Sequence, residues 1–207
     1  MSEGAVDAEG ELLALASRLA LEAGRMARDG RRDRGIRAAD TKSTATDMVT
    51  EFDRASEELI VGGLRAARPH DGIVGEEGTD TPGTSGVDWL IDPIDGTTNF
   101  LYDLPGWAVS IAAVDGDGAL VGVVYVPSHD EMFTAARGRG AAGRHRPVRC
   151  GTLADPATAL VATGFSYDPA RRAVHTARLV HVLPHVRDIR RLGAARVVDL
   201  PRQRRDE

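Results

Sequence analysis

Trp89-Leu90-Ile91-Asp92-Pro93-Ile94-Asp95-Gly96-Thr97-Thr98-Asn99-Phe100 is the stretch on which the fold turns. Trp89, Leu90 and Ile91 form a short apolar run of β-favouring residues, which predicts a strand. Pro93 has no donor for a ladder, and Gly96 accepts backbone angles that other residues avoid. The strand is therefore expected to break after Ile91. Two carboxylates, Asp92 and Asp95, then stand where a buried strand gives way to a polar loop. Gly96-Thr97-Thr98-Asn99 is expected to expose amides and hydroxyls beside them. Carboxylates next to free amides suit a cation and an anion held side by side. A second acidic turn, Gly75-Glu76-Glu77-Gly78, follows the apolar pair Ile73-Val74. Turn chemistry alone explains Asp-Pro or Asp-Gly in isolation. It does not explain the whole string with a second acidic turn upstream of it.

The 207 residues suffice for a buried core, as one large or two small domains. With 42% hydrophobic and 28% charged residues the composition is that of a soluble globular chain. A net charge of −5 gives no global attraction to nucleic acid or anionic membrane. Arg202, Arg204 and Arg205 near the end lack the aromatic residues that accompany strand binding. The lone cysteine, Cys150, excludes an internal disulfide, reads as an apolar filler and fits a reducing cytoplasm. No apolar run approaches membrane-spanning length, and the acidic N-terminus has no signal-peptide pattern.

Outward from the central stretch, Leu12, Leu15, Leu19, Ala23 and Met26 recur at helical spacing and predict a helix from about Gly10 to Arg28. Arg31 to Asp40 reads as a charged connector, and Thr41 to Asp47 as a turn or hairpin edge. A second helix is expected from Thr50. Its buried face would carry Phe52, Leu59, Ile60 and Leu64, with Thr50 and Asp53 as a capping box and Pro69 as the stop. Asp80 to Gly86 reads as loop. Strands are expected over Ala108–Val114, Ala119–Val126 and Glu131–Ala136, with Gly138-Arg139-Gly140-Ala141 closing the meander. Asp115-Gly116-Asp117-Gly118 lacks the further ligands of a calcium loop and reads as a hairpin turn. A strand over Ala159–Phe165, a helix over Asp168–Leu183 and a strand over Val186–Arg190 follow. His181 and His185 are separated by Pro184, have no acidic neighbour and read as a solvated helix end. Leu192 to Ala195 is expected to open another helix, and Pro201 to Glu207 reads as a disordered charged tail.

The intact Asp92-Pro93-Ile94-Asp95-Gly96-Thr97-Thr98-Asn99-Phe100, with Glu76-Glu77 upstream, resembles the signature of the inositol monophosphatase family. The resemblance runs from the first helix to about Ala195. It implies an α/β fold, a layered αβαβα-type sandwich of the sugar-phosphatase type. Residues 1–145 would form the metal-binding catalytic α+β domain. Residues 146–207 would form a partial C-terminal α/β domain, so that the C-terminal layer is incomplete. It also implies Mg²⁺-dependent hydrolysis of a small phosphate monoester by metal-activated water. A phosphate dianion repels hydroxide, and cations held by carboxylates neutralise that charge and acidify water.

Residue by residue, the resemblance implies Glu76, Asp92 and the Ile94 carbonyl as ligands of a first metal. Asp92 would bridge to a second metal, joined by Asp95. Glu76 and Thr97 would position water, with Thr97 oriented by Asp53 in the element Asp47-Met48-Val49-Thr50-Glu51-Phe52-Asp53. The Gly96 and Thr97 amides would cradle phosphate, Glu77 would stand behind the ligands, and Lys42 matches a loop lysine of the family. Gly193, Ala194 and Ala195 match a segment that contacts substrate hydroxyls. Family members continue with an apolar helix, a further turn and strand, and a Trp-Asp pair whose Asp is another ligand. Here Arg196-Val197-Val198-Asp199-Leu200-Pro201 follows instead, as a truncated or shifted reading frame would give, and Ala142-Gly143-Arg144-His145 replaces the usual Asn-Gly hairpin. A weakened second metal site and reduced catalysis are the expected consequences.

Three readings follow. The first is a cytoplasmic inositol-phosphate phosphatase acting on a small-molecule phosphate ester, with no nucleic acid or membrane partner; homodimers are common in the family. The second is a family phosphatase for histidinol phosphate, fructose bisphosphate or a 3′-phosphoadenosine nucleotide. The third is a metal-binding relative without turnover.

Overall fold

The computed structural model describes residues 3–37, 39–41, 48–144, 146–149 and 153–191. The chain opens with helix α1 (Glu3–Arg34), then strands β1 (Ala39–Thr41) and β2 (Met48–Thr50), helix α2 (Glu51–Ala67), and strands β3 (Gly72–Gly75), β4 (Asp80–Thr81) and β5 (Asp88–Asp95). A short helix α3 (Thr97–Leu101) follows. Then come β6 (Ala108–Asp115), β7 (Gly118–Val126), β8 (Glu131–Ala136), β9 (Gly140–Gly143) and β10 (Arg146–Val148). The remainder is β11 (Leu160–Ala162), α4 (Pro169–Val182) and β12 (Asp188–Arg190).

Eight strands form one mixed sheet in the order β10-β9-β8-β7-β6-β5-β3-β4. Among the described residues only β3 and β5 run parallel within it; every other pairing is antiparallel. Side-chain alternation gives the sheet one face for the helices. Val109, Ile111 and Ala113 of β6 stand opposite Tyr125, Val123 and Val121 of β7, and all six are buried. Leu12, Ala16, Leu19, Ala20 and Ala23 of α1 fall on one helical face and close over the sheet. From α2, Ile60, Val61 and Leu64 join the same core. The opposite face is partly bare: Val74 and Leu90 are register partners on β3 and β5, and they are 45% and 43% exposed. β11 and β12 form a separate parallel pair, and α4 beside them buries no residue completely.

The expected helices up to α4 and the central strands are present, with differences, while the helix expected from Leu192 lies outside the described residues. α1 runs on to Arg34, taking part of the expected connector; β1 and β2 pair antiparallel, and residues 42–47, read as a turn or hairpin edge, lie outside the described residues. Asp80–Thr81 pairs with β3 where loop was expected. The meander does not end at Gly138–Ala141: β9 and β10 extend the sheet to Val148, three residues past position 145. The main correction concerns Pro93. β5 does not break there but continues to Asp95, because a bulge absorbs the residue that cannot donate.

Candidate active site

The bulge decides where the two aspartates point. Asp92 pairs with Ser110 and Asp95 pairs with Ala108, so three steps along β5 match two along β6. Ser110 and Ala108 are two apart and share a face, and register partners lie on the same face. Asp92 and Asp95, which would alternate in a regular strand, therefore share one as well. Ile94, between them, turns its side chain inward to a cluster with Phe52, Phe100 and Trp107.

The acidic turn meets this strand end directly. β3 and β5 run parallel, with Gly75 opposite Ile91, and the Glu76 amide donates to the Ile91 carbonyl at 3.0 Å. Glu76 is thus seated beside the residue that precedes Asp92. Among the described residues no group of three or more His, Cys, Asp or Glu side chains stands together as a ready metal site. Glu76, Asp92 and Asp95 offer hard carboxylate oxygens near one end of the sheet. That suits Mg²⁺, which keeps several waters and binds through a few carboxylates plus substrate oxygens. A closed cage is not what such an ion requires.

Thr97 is the first residue of α3 and is only 8% exposed, so the expectation of an exposed hydroxyl is corrected. Its Oγ1 lies 3.1 Å from Asp53 Oδ1 and 3.1 Å from the Ile94 carbonyl. One hydroxyl has one proton, and the carboxylate is the stronger acceptor. Asp53 is itself held by the helix cap: its Oδ2 accepts from the Thr50 amide at 2.8 Å and from the Thr50 hydroxyl. The capping box expected from sequence is present, and the same carboxylate reaches the site.

An aromatic stack fixes α3 against α2. Phe52 and Phe100 meet edge-on at 5.6 Å, and Phe100 and Trp107 at 4.8 Å. Phe52 neighbours Asp53, and Phe100 sits one turn after Thr97, so the stack holds the two polar partners in register. Gly96 joins strand to helix at φ +87°, a left-handed conformation that favours glycine, and a side chain there would meet the Gly106 carbonyl at 2.9 Å.

Sequence reasoning missed two groups. Glu57, on α2 one turn beyond Asp53, is a buried carboxylate that accepts hydrogen bonds from the acidic turn. Its spacing of four from Asp53 was the available signal. The second group forms a cleft of about 530 Å³. One wall is Asp95, Gly96, Thr98 and Asn99; the other includes Thr163, Phe165, Tyr167 and Arg191. The Arg191 guanidinium lies 5.8 Å from the Phe165 ring centroid. These residues follow β11 and β12, and no motif marked them. His181 and His185 are exposed at the end of α4, as expected. Lys42, Cys150, Gly193, Ala194, Ala195 and the tail lie outside the described residues.

Comparison with known proteins gives a consistent result. The sequence profile described as the inositol monophosphatase family matches residues 9–199. The chain is 41% identical over 181 residues to the inositol-1-monophosphatase SuhB of Mycobacterium tuberculosis, a match covering 82% of this chain and 61% of that protein. It is 39% identical over 153 residues to the Nus factor SuhB of Escherichia coli, covering 73% of this chain and 57% of that one. It thus spans about three fifths of the length of these relatives. Among solved structures, the extragenic suppressor protein suhB of Bartonella henselae superposes with a TM-score of 0.84 at 34% identity, covering 92% of this chain and 74% of that chain. The IMPase of Thermotoga maritima superposes at 0.80 with 29% identity, covering 91% and 70%.

Proposed function

The chain belongs to the inositol monophosphatase family, and from that premise we propose that it is a Mg²⁺-dependent phosphate monoester hydrolase acting on inositol 1-phosphate or a similar small polyol phosphate in the reducing cytoplasm. The observation that carries the reading is the bulge in β5, which gives Asp92 and Asp95 one face beside the Glu76 turn. Glu76, Asp92, Asp95 and the Ile94 carbonyl would hold Mg²⁺. When bound, the ion would neutralise charge on the phosphate and lower the pKa of water.

The chain's own residues do the rest. Thr97, by donating its proton to Asp53, keeps its lone pairs available to accept from a water, and Glu76 is the carboxylate that would take that water's proton. The amides of Gly96 and Thr97 enter a first helical turn, where N–H groups have no partner within the helix, and would receive phosphate oxygens. The cleft between Asn99 and Tyr167 has room for a six-carbon polyol and offers hydroxyl and amide partners to its hydroxyls. Gly193, Ala194 and Ala195 would add contacts to the same substrate.

The test is phosphate release from inositol 1-phosphate across a Mg²⁺ titration, with histidinol phosphate, fructose bisphosphate and a 3′-phosphoadenosine nucleotide in parallel and Asp95→Asn as control. Metal-dependent release that the substitution abolishes is the expected result, and the ratio among substrates names the alcohol. No release from a folded sample on any of them, with Mg²⁺ still bound, would instead mark a metal-binding protein without turnover.

A further inference from the structure

α2 presents two acids to the site, and the proposed function uses only the first. Asp53 and Glu57 are four residues apart, hence on one helix face. Asp53 takes the Thr97 hydroxyl that follows β5. Glu57 takes the turn that follows β3: its Oε2 accepts from the Glu77 amide at 2.8 Å, and its Oε1 accepts from the Thr79 amide at 3.1 Å and the Thr79 hydroxyl at 2.7 Å. The carboxylate is 4% exposed as a residue and lies tight against the backbone of the turn. A Cβ on Gly75 would stand 2.4 Å from Glu57 Oε2, so only glycine lets the strand end approach this closely. Glu76 lies between the two anchored points, Gly75 and Glu77.

We propose that Glu57 is a positioning residue for the metal site: its carboxylate clamps the 75–79 turn and thereby sets where the Glu76 carboxylate stands relative to Asp92 and Asp95. The inference rests on the reading of Glu76 as a metal ligand. All three groups facing Glu57 are donors, so the clamp needs an acceptor at both oxygens. A glutamine of the same shape must turn its NH₂ towards one of those donors and release it. α2 is then the common mount for both halves of the site, one acid holding each parallel strand end.

The experiment is direct Mn²⁺ binding to the full chain, read by electron paramagnetic resonance in the absence of substrate, for the wild type, Glu57→Gln and Thr79→Val. Amide hydrogen exchange over residues 75–79 is measured alongside. Loss of a group that orients a ligand from behind costs about 10–100-fold in metal affinity. Glu57→Gln is expected to weaken Mn²⁺ by that factor, with faster exchange confined to the turn. Thr79→Val, which leaves both amide bonds, is expected to weaken it less. Phosphate release should show a raised Mg²⁺ requirement, with the substrate KM at saturating metal little changed. Wild-type Mn²⁺ affinity in Glu57→Gln overturns the proposal. Should that variant fail to fold, wild-type affinity in Thr79→Val does so. A wild-type chain that binds no Mn²⁺ overturns the metal-site reading itself, whereas binding without turnover on any ester leaves Glu57's role intact and removes only the phosphatase.

Discussion

The Thr97 hydroxyl and the Asp53 carboxylate lie 3.1 Å apart although 44 residues separate them in sequence. One oxygen of Asp53 caps α2 and the other orients a group at the opposite end of the site. Substituting Asp53→Ala, which removes both carboxylate oxygens, should therefore have two separable effects. Loss of the cap is expected to cost about 1 kcal/mol of stability. Turnover should fall further than stability explains, because Thr97 is released. Thr50→Ala removes the capping hydroxyl but keeps the Thr97 contact, so it should lose comparable stability and retain turnover. Unfolding curves and phosphate release on both variants separate the roles; equal turnover in the two would contradict them.

Gly96→Ala should be damaging beyond its size. A residue with a Cβ in the left-handed region costs about 1–2 kcal/mol, and the Gly106 carbonyl blocks the new methyl at 2.9 Å. We expect a lower melting temperature and a loss of turnover, since the strain falls where Thr97 begins α3. Asn99 offers a milder comparison. Its amide donates to the same Gly106 carbonyl at 2.8 Å, so Asn99→Ala should loosen the loop without straining the backbone.

Adjacent residues of β3 should respond very differently to truncation. Ile73 is 1% exposed and faces the helices, whereas Val74 is 45% exposed on the other side. Ile73→Ala is expected to cost about 2–5 kcal/mol. Val74→Ala should stay within about 0.5 kcal/mol. Urea midpoints of the two variants test whether the outer face of the sheet contributes to the core.

Asp71 links the start of β5 to the end of α2. Burial alone would raise its pKa, but hydrogen bonds from Arg68, Ser85 and the Trp89 indole hold it below its ordinary value. A carboxyl depressed in the folded state stabilises fully above its unfolded pKa of about 3.9. That contribution is lost as pH falls through the lower folded value. Wild-type stability should decline steeply in acid below about pH 4. Asp71→Asn should be less stable at neutral pH and show a shallower decline over the same range, measured by denaturant midpoints against pH.

Much of this was legible in the chain. The period-two strands of the meander, the two helices over the sheet and the capping box at Thr50 follow from local patterns, and local patterns are what sequence displays. Glu76, Asp92, Asp95 and Thr97 stand out as a candidate set from the motif they form. Three features were not legible. The continuation of β5 through Pro93 depends on a cross-strand partner, Ala108, that no local rule supplies. Burial of Thr97 depends on an aromatic stack assembled from Phe52, Phe100 and Trp107. Glu57 carries no local mark of its role, because its donors lie twenty and more residues downstream.

The irregular register between Asp92 and Asp95 also bears on how acidic pairs are sought in unfamiliar chains. Scanning strands for partners at even separations would pass over this pair, whose separation is odd. The surplus position makes an odd count behave as an even one, and the spare residue becomes an inward anchor, Ile94. Aspartates three apart with proline between them belong among candidate shared-face pairs. A single further insertion that left the bulge in place would restore the alternation and turn the two carboxylates away from each other without altering any side chain.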